Sequence, residues 1–106
     1  MDFTPERRIK PRVACDYPVL VEGYDSEGSQ FNENGNLANL SASGLFMKTN
    51  RYIENGSKIS VTVLLTNTPI EQETPRIATY GIVVRTESQA EGTCGIAMKF
   101  NSYRFL

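Results

Sequence analysis

The stretch Lys58-Ile59-Ser60-Val61-Thr62-Val63-Leu64-Leu65 decides the fold class, because apolar residues occupy every second position along most of its length. A period of two places apolar side chains on one face of a β-strand and polar side chains on the other. Isoleucine and valine, which favour strands, fill the first three apolar positions. The stretch therefore predicts a strand with one face in a hydrophobic core and the other in solvent.

Other short segments of the same character fill most of the chain. We expect further strands at residues 13–24, 30–40, 44–49, 77–86 and 93–100. Asn34-Gly35 is expected to bend the second of these or to form a bulge in it. Residues 66–76 contain two prolines and are expected to be a loop. No window of ten residues has helical periodicity, and the pattern predicts an all-β domain, a small closed or nearly closed antiparallel barrel.

The aromatic side chains lie mostly on these predicted strands. We expect them to pack in the core or at the barrel ends rather than to serve as stacking platforms. They are Tyr24, Phe46, Tyr80, Phe100 and Phe105.

Length and composition exclude several classes of protein. A chain of 106 residues is expected to form one domain. Its longest apolar run is far shorter than the roughly 20 residues that span a bilayer, and no apolar run follows the charged N-terminus, so we predict no membrane insertion and a cytoplasmic location. The chain has no histidine, and its two cysteines, Cys15 and Cys94, are not spaced as metal ligands and are expected to be buried free thiols. We expect that the protein is not an enzyme and that it binds no metal and no cofactor.

The overall charge disfavours binding to nucleic acid polymers. The net charge is −1 and the pI is about 5.4, whereas proteins that bind RNA or DNA through the phosphate backbone are usually basic. Four of the eleven basic residues lie within the first twelve positions, however. A local site for an anionic ligand is therefore compatible with an acidic protein.

Two short motifs suggest such a site. The first is Arg8-Ile9-Lys10-Pro11-Arg12, with arginines four residues apart, and the second is Asn39-Leu40-Ser41-Ala42-Ser43-Gly44. In order and spacing they resemble the RxxxR and D/NxSxxG motifs of PilZ domains, a family that binds cyclic di-GMP. The resemblance implies a six-stranded antiparallel barrel at residues 13–106, preceded by a flexible arm at residues 1–12. PilZ domains usually end in a helix, but residues 101–106 leave room for only a short helix or none.

The resemblance assigns the ligand-binding residues, and their chemistry fits a cyclic dinucleotide. Arginine donates two parallel hydrogen bonds to a phosphate or to guanine O6 and N7, and it stacks on bases, as expected of Arg8 and Arg12. Asn39 and Ser41 are expected to face the ligand together, and Gly44 to allow close approach. Arg7 is a further candidate, for stacking on a second guanine. We predict a cyclic di-GMP receptor that regulates an unknown effector, in motility, secretion or exopolysaccharide production by family analogy.

Other interpretations remain open at this point. Each motif alone fits a simpler role, the first as a solvated charge cluster and the second as a polar turn before a strand. Arg7 fits an exposed charge, and Arg85 fits either a contribution to the site or a surface salt bridge. The main alternative function is a PilZ-like protein-interaction module that does not bind nucleotide.

Overall fold

The computed structural model describes residues 13–14, 16–65 and 75–106, and these residues form seven β-strands. The predicted arm at residues 1–12, Cys15 and residues 66–74 of the predicted loop lie outside the described residues. The only helical segment in the described ranges is a single 3₁₀ turn at Ala90–Gly92, and none there is long and apolar enough to span a membrane. The strands are β1 (Val13–Ala14), β2 (Pro18–Tyr24), β3 (Gln30–Leu40), β4 (Gly44–Thr49), β5 (Lys58–Leu64), β6 (Arg76–Ser88) and β7 (Cys94–Phe105).

Antiparallel pairing closes six of these strands into a barrel. The sheet runs in the order β1-β3-β2-β5-β6-β7-β4, and an additional β3–β4 pairing joins its ends. The two-residue β1 pairs with the last two residues of β3 on the side opposite β4, so it continues the position of β2 along β3 and adds no further strand to the ring. The predicted six-stranded antiparallel barrel is confirmed.

The core has the alternation that the sequence predicted. Ile59, Val61 and Val63 of β5 are at most 1% exposed, whereas the side chains between them reach the surface. Their neighbours in the core come from five other strands and from Ile53 in the β4–β5 connection. Cys94 is buried and not in a disulfide, as predicted for it.

Three strand boundaries differ from the prediction. Residues 13–24 form two strands rather than one, because their register against β3 shifts by one residue. The carbonyl of Tyr17 still accepts a hydrogen bond of 2.8 Å from the amide of Leu37 in the register of β2, whereas Ala14 pairs with Asn39 in the shifted register. β6 extends to Ser88 and β7 to Phe105, because the two strands continue to pair with each other beyond the range where sequence alternation is clear. Residues 101–105 are therefore strand, and no C-terminal helix forms in them.

The bulge of β3 is not at Asn34-Gly35. Both residues pair regularly with β2, and the register shift lies between Leu37 and Asn39, at Ala38. Gly35 instead permits close contact between strands, since a Cβ there would lie 2.5 Å from the carbonyl oxygen of Lys48.

The expectation for the aromatic side chains was partly wrong. Phe46 and Phe100 are partly buried, but Tyr24, Tyr80 and Phe105 are 62%, 42% and 70% exposed. Tyr80 points outward because its neighbours Thr79 and Gly81 face the interior of β6. Phe105 is exposed because it lies beyond the part of β7 that pairs with β4.

Candidate functional site

An open groove with a volume of about 490 Å³ runs over the outer surface of the barrel, where β3, β4, β6 and β7 lie side by side. It contains Asn39, Ser41 and Gly44, which the sequence predicted to share a site. The other lining residues are Ser43, Leu45, Phe46, Val84, Arg85, Ala97, Met98 and Lys99.

One row of cross-strand partners forms the centre of the groove. Asn39 of β3 pairs with Phe46 of β4, Phe46 pairs with Ala97 of β7, and Ala97 pairs with Arg85 of β6. Directly paired residues point to the same side of a sheet, and three strand spacings amount to about 14 Å. The row therefore has an amide at one end, a guanidinium at the other, and an aromatic ring and a methyl group between them.

The bulge at Ala38 places Asn39 on this row. Leu37 is 1% exposed and faces the core. Without a bulge, Asn39 would face the core too, because side chains two apart on a strand share a face. The extra residue at Ala38 reverses the phase, so that Asn39 pairs with Phe46 on the outer side.

A second bulge acts in the same way on Arg85. Val83 is 1% exposed, Val84 is the extra residue between it and Arg85, and the register resumes with Arg85 opposite Ala97. Simple alternation would have directed Arg85 towards the interior. Bulges often redirect side chains next to functional sites, and here two of them turn the two ends of the row outward.

The turn after β3 holds its own polar groups. The amide of Ser41 donates to the carbonyl of Gly44 at 2.9 Å. The Ser41 hydroxyl donates to the same carbonyl at 3.3 Å and accepts from the amide of Ser43 at 3.3 Å. Ser41 is thus at the groove, as predicted, but its hydroxyl also stabilises the turn.

Gly44 is required by packing against the neighbouring strand. Its φ angle is not in the left-handed region, so conformational freedom is not the reason for a glycine here. A Cβ at this position would collide with the carbonyl oxygen of Met98 on β7. A side chain would therefore push β4 away from β7 at the edge of the groove.

Basic groups dominate the charge of the groove. Arg85 and Lys99 are exposed in it, and none of its lining residues is acidic. The Nε of Arg85 donates to Oε2 of Glu87 at 2.8 Å just outside the lining, and the guanidinium carbon lies 5.7 Å from the centre of the Phe46 ring. Among the described residues, no group of three or more acidic residues, cysteines or histidines is placed to hold a metal ion.

Sequence reasoning missed Lys99 and Phe46 as groove residues. The position of Lys99 could have been predicted from the sequence. Ile96 and Met98 alternate on the buried face of β7, so Lys99 lies on the outer face. Phe46 lies against Gly95, where a Cβ would be 2.5 Å from the ring. That contact depends on the pairing of β4 with β7 and has no local signal.

The predicted arginines Arg7, Arg8 and Arg12 lie outside the described residues. The register of β1 shows where the described chain begins. Val13 is the partner of Leu40, and Ala14 is the partner of Asn39. The fold thus starts beside the second motif.

Comparisons with known proteins identify the same family as the motifs. The family model described as PilZ domain matches residues 6–104. The fold is similar to that of the Bacillus subtilis inhibitor of motility, MotI/DgrA, with a TM-score of 0.66 and 16% sequence identity. The match covers 94% of this chain and 45% of that one, so this chain spans less than half of the other protein. No significant match was found among curated proteins.

Proposed function

Because this chain belongs to the PilZ domain family, we propose that it is a receptor for cyclic di-GMP that regulates a partner protein. PilZ domains are binding modules rather than enzymes. The observation that carries the proposal is the row from Asn39 to Arg85, which places an amide and a guanidinium on one outward face. None of the residues that line the groove is acidic, and Glu87, just outside the lining, pairs with Arg85.

The chemistry of the groove suits the two kinds of group in the ligand. Cyclic di-GMP has two anionic phosphodiesters and two guanines. Asn39 has both a donor and an acceptor for a guanine edge, and Arg85 and Lys99 supply positive charge for phosphate. The exposed part of Phe46 gives an apolar surface between them for a base.

The arm supplies the remaining contacts in this proposal. Val13, which directly follows Arg12 in sequence, is paired with Leu40 of the second motif. Arg8 and Arg12 bind phosphate and guanine, and Arg7 stacks on a second guanine. Ordering of the arm on the ligand changes the surface that a partner contacts, which provides the switch.

The partner and location are assigned by family analogy. The similar structure is an inhibitor of motility. We place this chain in the cytoplasm, acting on a protein of a motility, secretion or exopolysaccharide system.

Isothermal titration calorimetry with cyclic di-GMP tests the proposal, with GMP and cyclic di-AMP as controls. We expect saturable binding of cyclic di-GMP and no binding of GMP or cyclic di-AMP. The stoichiometry separates one molecule per chain from a stacked pair. If no heat is found at several temperatures and the melting temperature does not rise, the chain is not a cyclic di-GMP receptor.

One observation favours a second candidate, a PilZ interaction module that does not bind nucleotide. The Arg85 guanidinium already has a partner in Glu87, and the Ser41 hydroxyl already has partners in its own turn. In this alternative, the groove is a structural surface and the partner binds without a ligand. The same calorimetry distinguishes the two functions.

Glu87→Gln is expected to strengthen cyclic di-GMP binding about two- to fivefold, because an exposed ion pair of at most about 1 kcal/mol holds Arg85 away from phosphate. Glu22→Gln makes the same change in charge on the outer face of β2, away from the groove, and is the matched control. Affinities from calorimetry that rise equally in both variants would show that only net charge matters. If neither variant changes the affinity for cyclic di-GMP, Arg85 does not contribute to the site.

A further inference from the structure

The last part of β7 has one edge without a strand partner in the described part of the chain. β4 pairs with β7 only from Cys94 to Lys99, and the amide of Phe100 then donates to the carbonyl of Ser43 at 2.9 Å. From Ser102 to Phe105, β7 pairs with β6 alone. Within residues 13–14, 16–65 and 75–106, nothing pairs with the opposite side of these residues, which we call the open edge.

The register shows which backbone groups face that edge. The amide of Leu106 donates to the carbonyl of Arg76 at 2.8 Å, so residues 76 and 106 form a hydrogen-bonded pair. Hydrogen-bonded and non-hydrogen-bonded pairs alternate along an antiparallel ladder. Arg104 and Ser102 therefore also bond to β6, and the N–H and C=O groups of Tyr103 and Phe105 point to the open edge.

Apolar side chains accompany these free backbone groups. Tyr103, Phe105 and Leu106 are 49%, 70% and 60% exposed. Protein edges are usually protected by proline, by charged residues or by covering segments. Residues 102–106 contain no proline and one charged residue, Arg104, and no segment in the described ranges pairs with their open side. An edge of this kind is suited to receive an added strand.

The charge around the edge indicates the chemistry of that strand. No aspartate or glutamate occurs in residues 58–65, 75–86 or 93–106, although acidic residues outnumber basic ones in the whole chain, 12 to 11. Of the basic residues in these ranges, Arg76 and Arg104 lie on the paired ends of β6 and β7 that form the edge. These two ends therefore carry positive charge and no acidic side chain, which would attract a negatively charged partner.

We propose that the open edge of β7 is a docking site for an extended acidic segment of a partner protein, which pairs with Tyr103 and Phe105 as an eighth strand. Main-chain hydrogen bonds attach the segment to the edge. The exposed aromatic rings contact apolar side chains of the segment, and Arg104 gives the preference for a segment with carboxylates. This site is separate from the nucleotide groove and does not depend on the ligand.

Three labelled eight-residue peptides test the proposal by fluorescence anisotropy. All have valine at alternate positions, with glutamate, glutamine or lysine at the others. We expect the glutamate peptide to bind at least tenfold more tightly than the lysine peptide, with the glutamine peptide between them. Arg104→Gln should reduce this preference.

Phe105→Pro is the decisive variant. Proline removes one of the two N–H groups that face the open edge and leaves the β6 ladder intact, as proline is tolerated on a solvent-facing edge. We expect at least a tenfold loss of peptide affinity. Phe105→Val removes the aromatic ring but keeps the N–H. This variant should lose less peptide affinity than Phe105→Pro. Circular dichroism and thermal melts confirm that both variants remain folded.

Three outcomes would overturn the proposal. The first is no binding by any peptide, and the second is equal binding by all three. The third is a concentration-dependent dimer, detected by analytical ultracentrifugation, that Phe105→Pro abolishes, since that result would assign the edge to a second copy of the chain.

Discussion

The double variant Arg8→Ala/Arg12→Ala is expected to lose at least about a hundredfold of its affinity for cyclic di-GMP. Each arginine is proposed to donate charge-assisted hydrogen bonds worth about 1.5–3 kcal/mol, and 1.4 kcal/mol corresponds to tenfold in affinity. Either single variant should therefore lose at least about tenfold. Calorimetry gives the affinities, and the melting temperature without ligand should change little in all three.

Arg51→Ala is the matched control for the loss of a guanidinium. Arg51 lies between β4 and β5, in contact with Phe31 and Asp25 at the end of the barrel opposite the groove. Its replacement should leave nucleotide affinity unchanged. An unaltered affinity in the double variant would show that the arm is not part of the nucleotide site. The main phosphate contacts of the proposal, those of Arg8 and Arg12, would then be wrong.

Gly44→Ala is expected to destabilise the barrel by about 1–3 kcal/mol, the usual cost of forcing extra volume into a packed region. The added Cβ would collide with backbone, the carbonyl oxygen of Met98, which cannot move aside as a flexible side chain can. The free energy of unfolding from urea titration is the measurement. Any loss of ligand affinity in this variant should accompany the loss of stability.

Ala42→Ser serves as the control for Gly44→Ala, because it also adds one heavy atom in the same turn but at an exposed position. Its stability should remain within about 0.5 kcal/mol of the original. Equal stability of Gly44→Ala and the parent would show that β4 and β7 separate easily. Gly44 would then be explained by the ligand rather than by the fold.

The strands were predictable where local signals mark both ends. β3 and β4 lie at residues 30–40 and 44–49 as expected, since turn-forming residues flank them. The break after Ala14 was not predictable, because it depends on a one-residue shift in register against β3, a strand distant in sequence. The extension of β7 to Phe105 likewise depends on β6 being long enough to pair with it.

The candidate site was predictable in its composition but not in its geometry. The second motif identified Asn39, Ser41 and Gly44, and all three line the groove. Alternation counted from the buried Leu37 and Val83 would place Asn39 and Arg85 on the buried face, however, and the bulges at Ala38 and Val84 turn them outward. A bulge is fixed by the register of two strands that are distant in sequence, so the strand pattern alone cannot show it.

The most direct test of the account is a ¹H–¹⁵N correlation NMR titration of the protein with cyclic di-GMP. We expect the largest amide shifts at Asn39, Ser41, Gly44 and Arg85, with Tyr24 and Gly28 at the opposite end of β3, beside the β2–β3 turn, unchanged. Amides of residues 1–12 should also shift, and their ¹H–¹⁵N heteronuclear NOE values should rise as the ligand orders them. Binding that shifts residues at the opposite end and leaves the row from Asn39 to Arg85 unchanged would contradict the assignment of the groove as the nucleotide site.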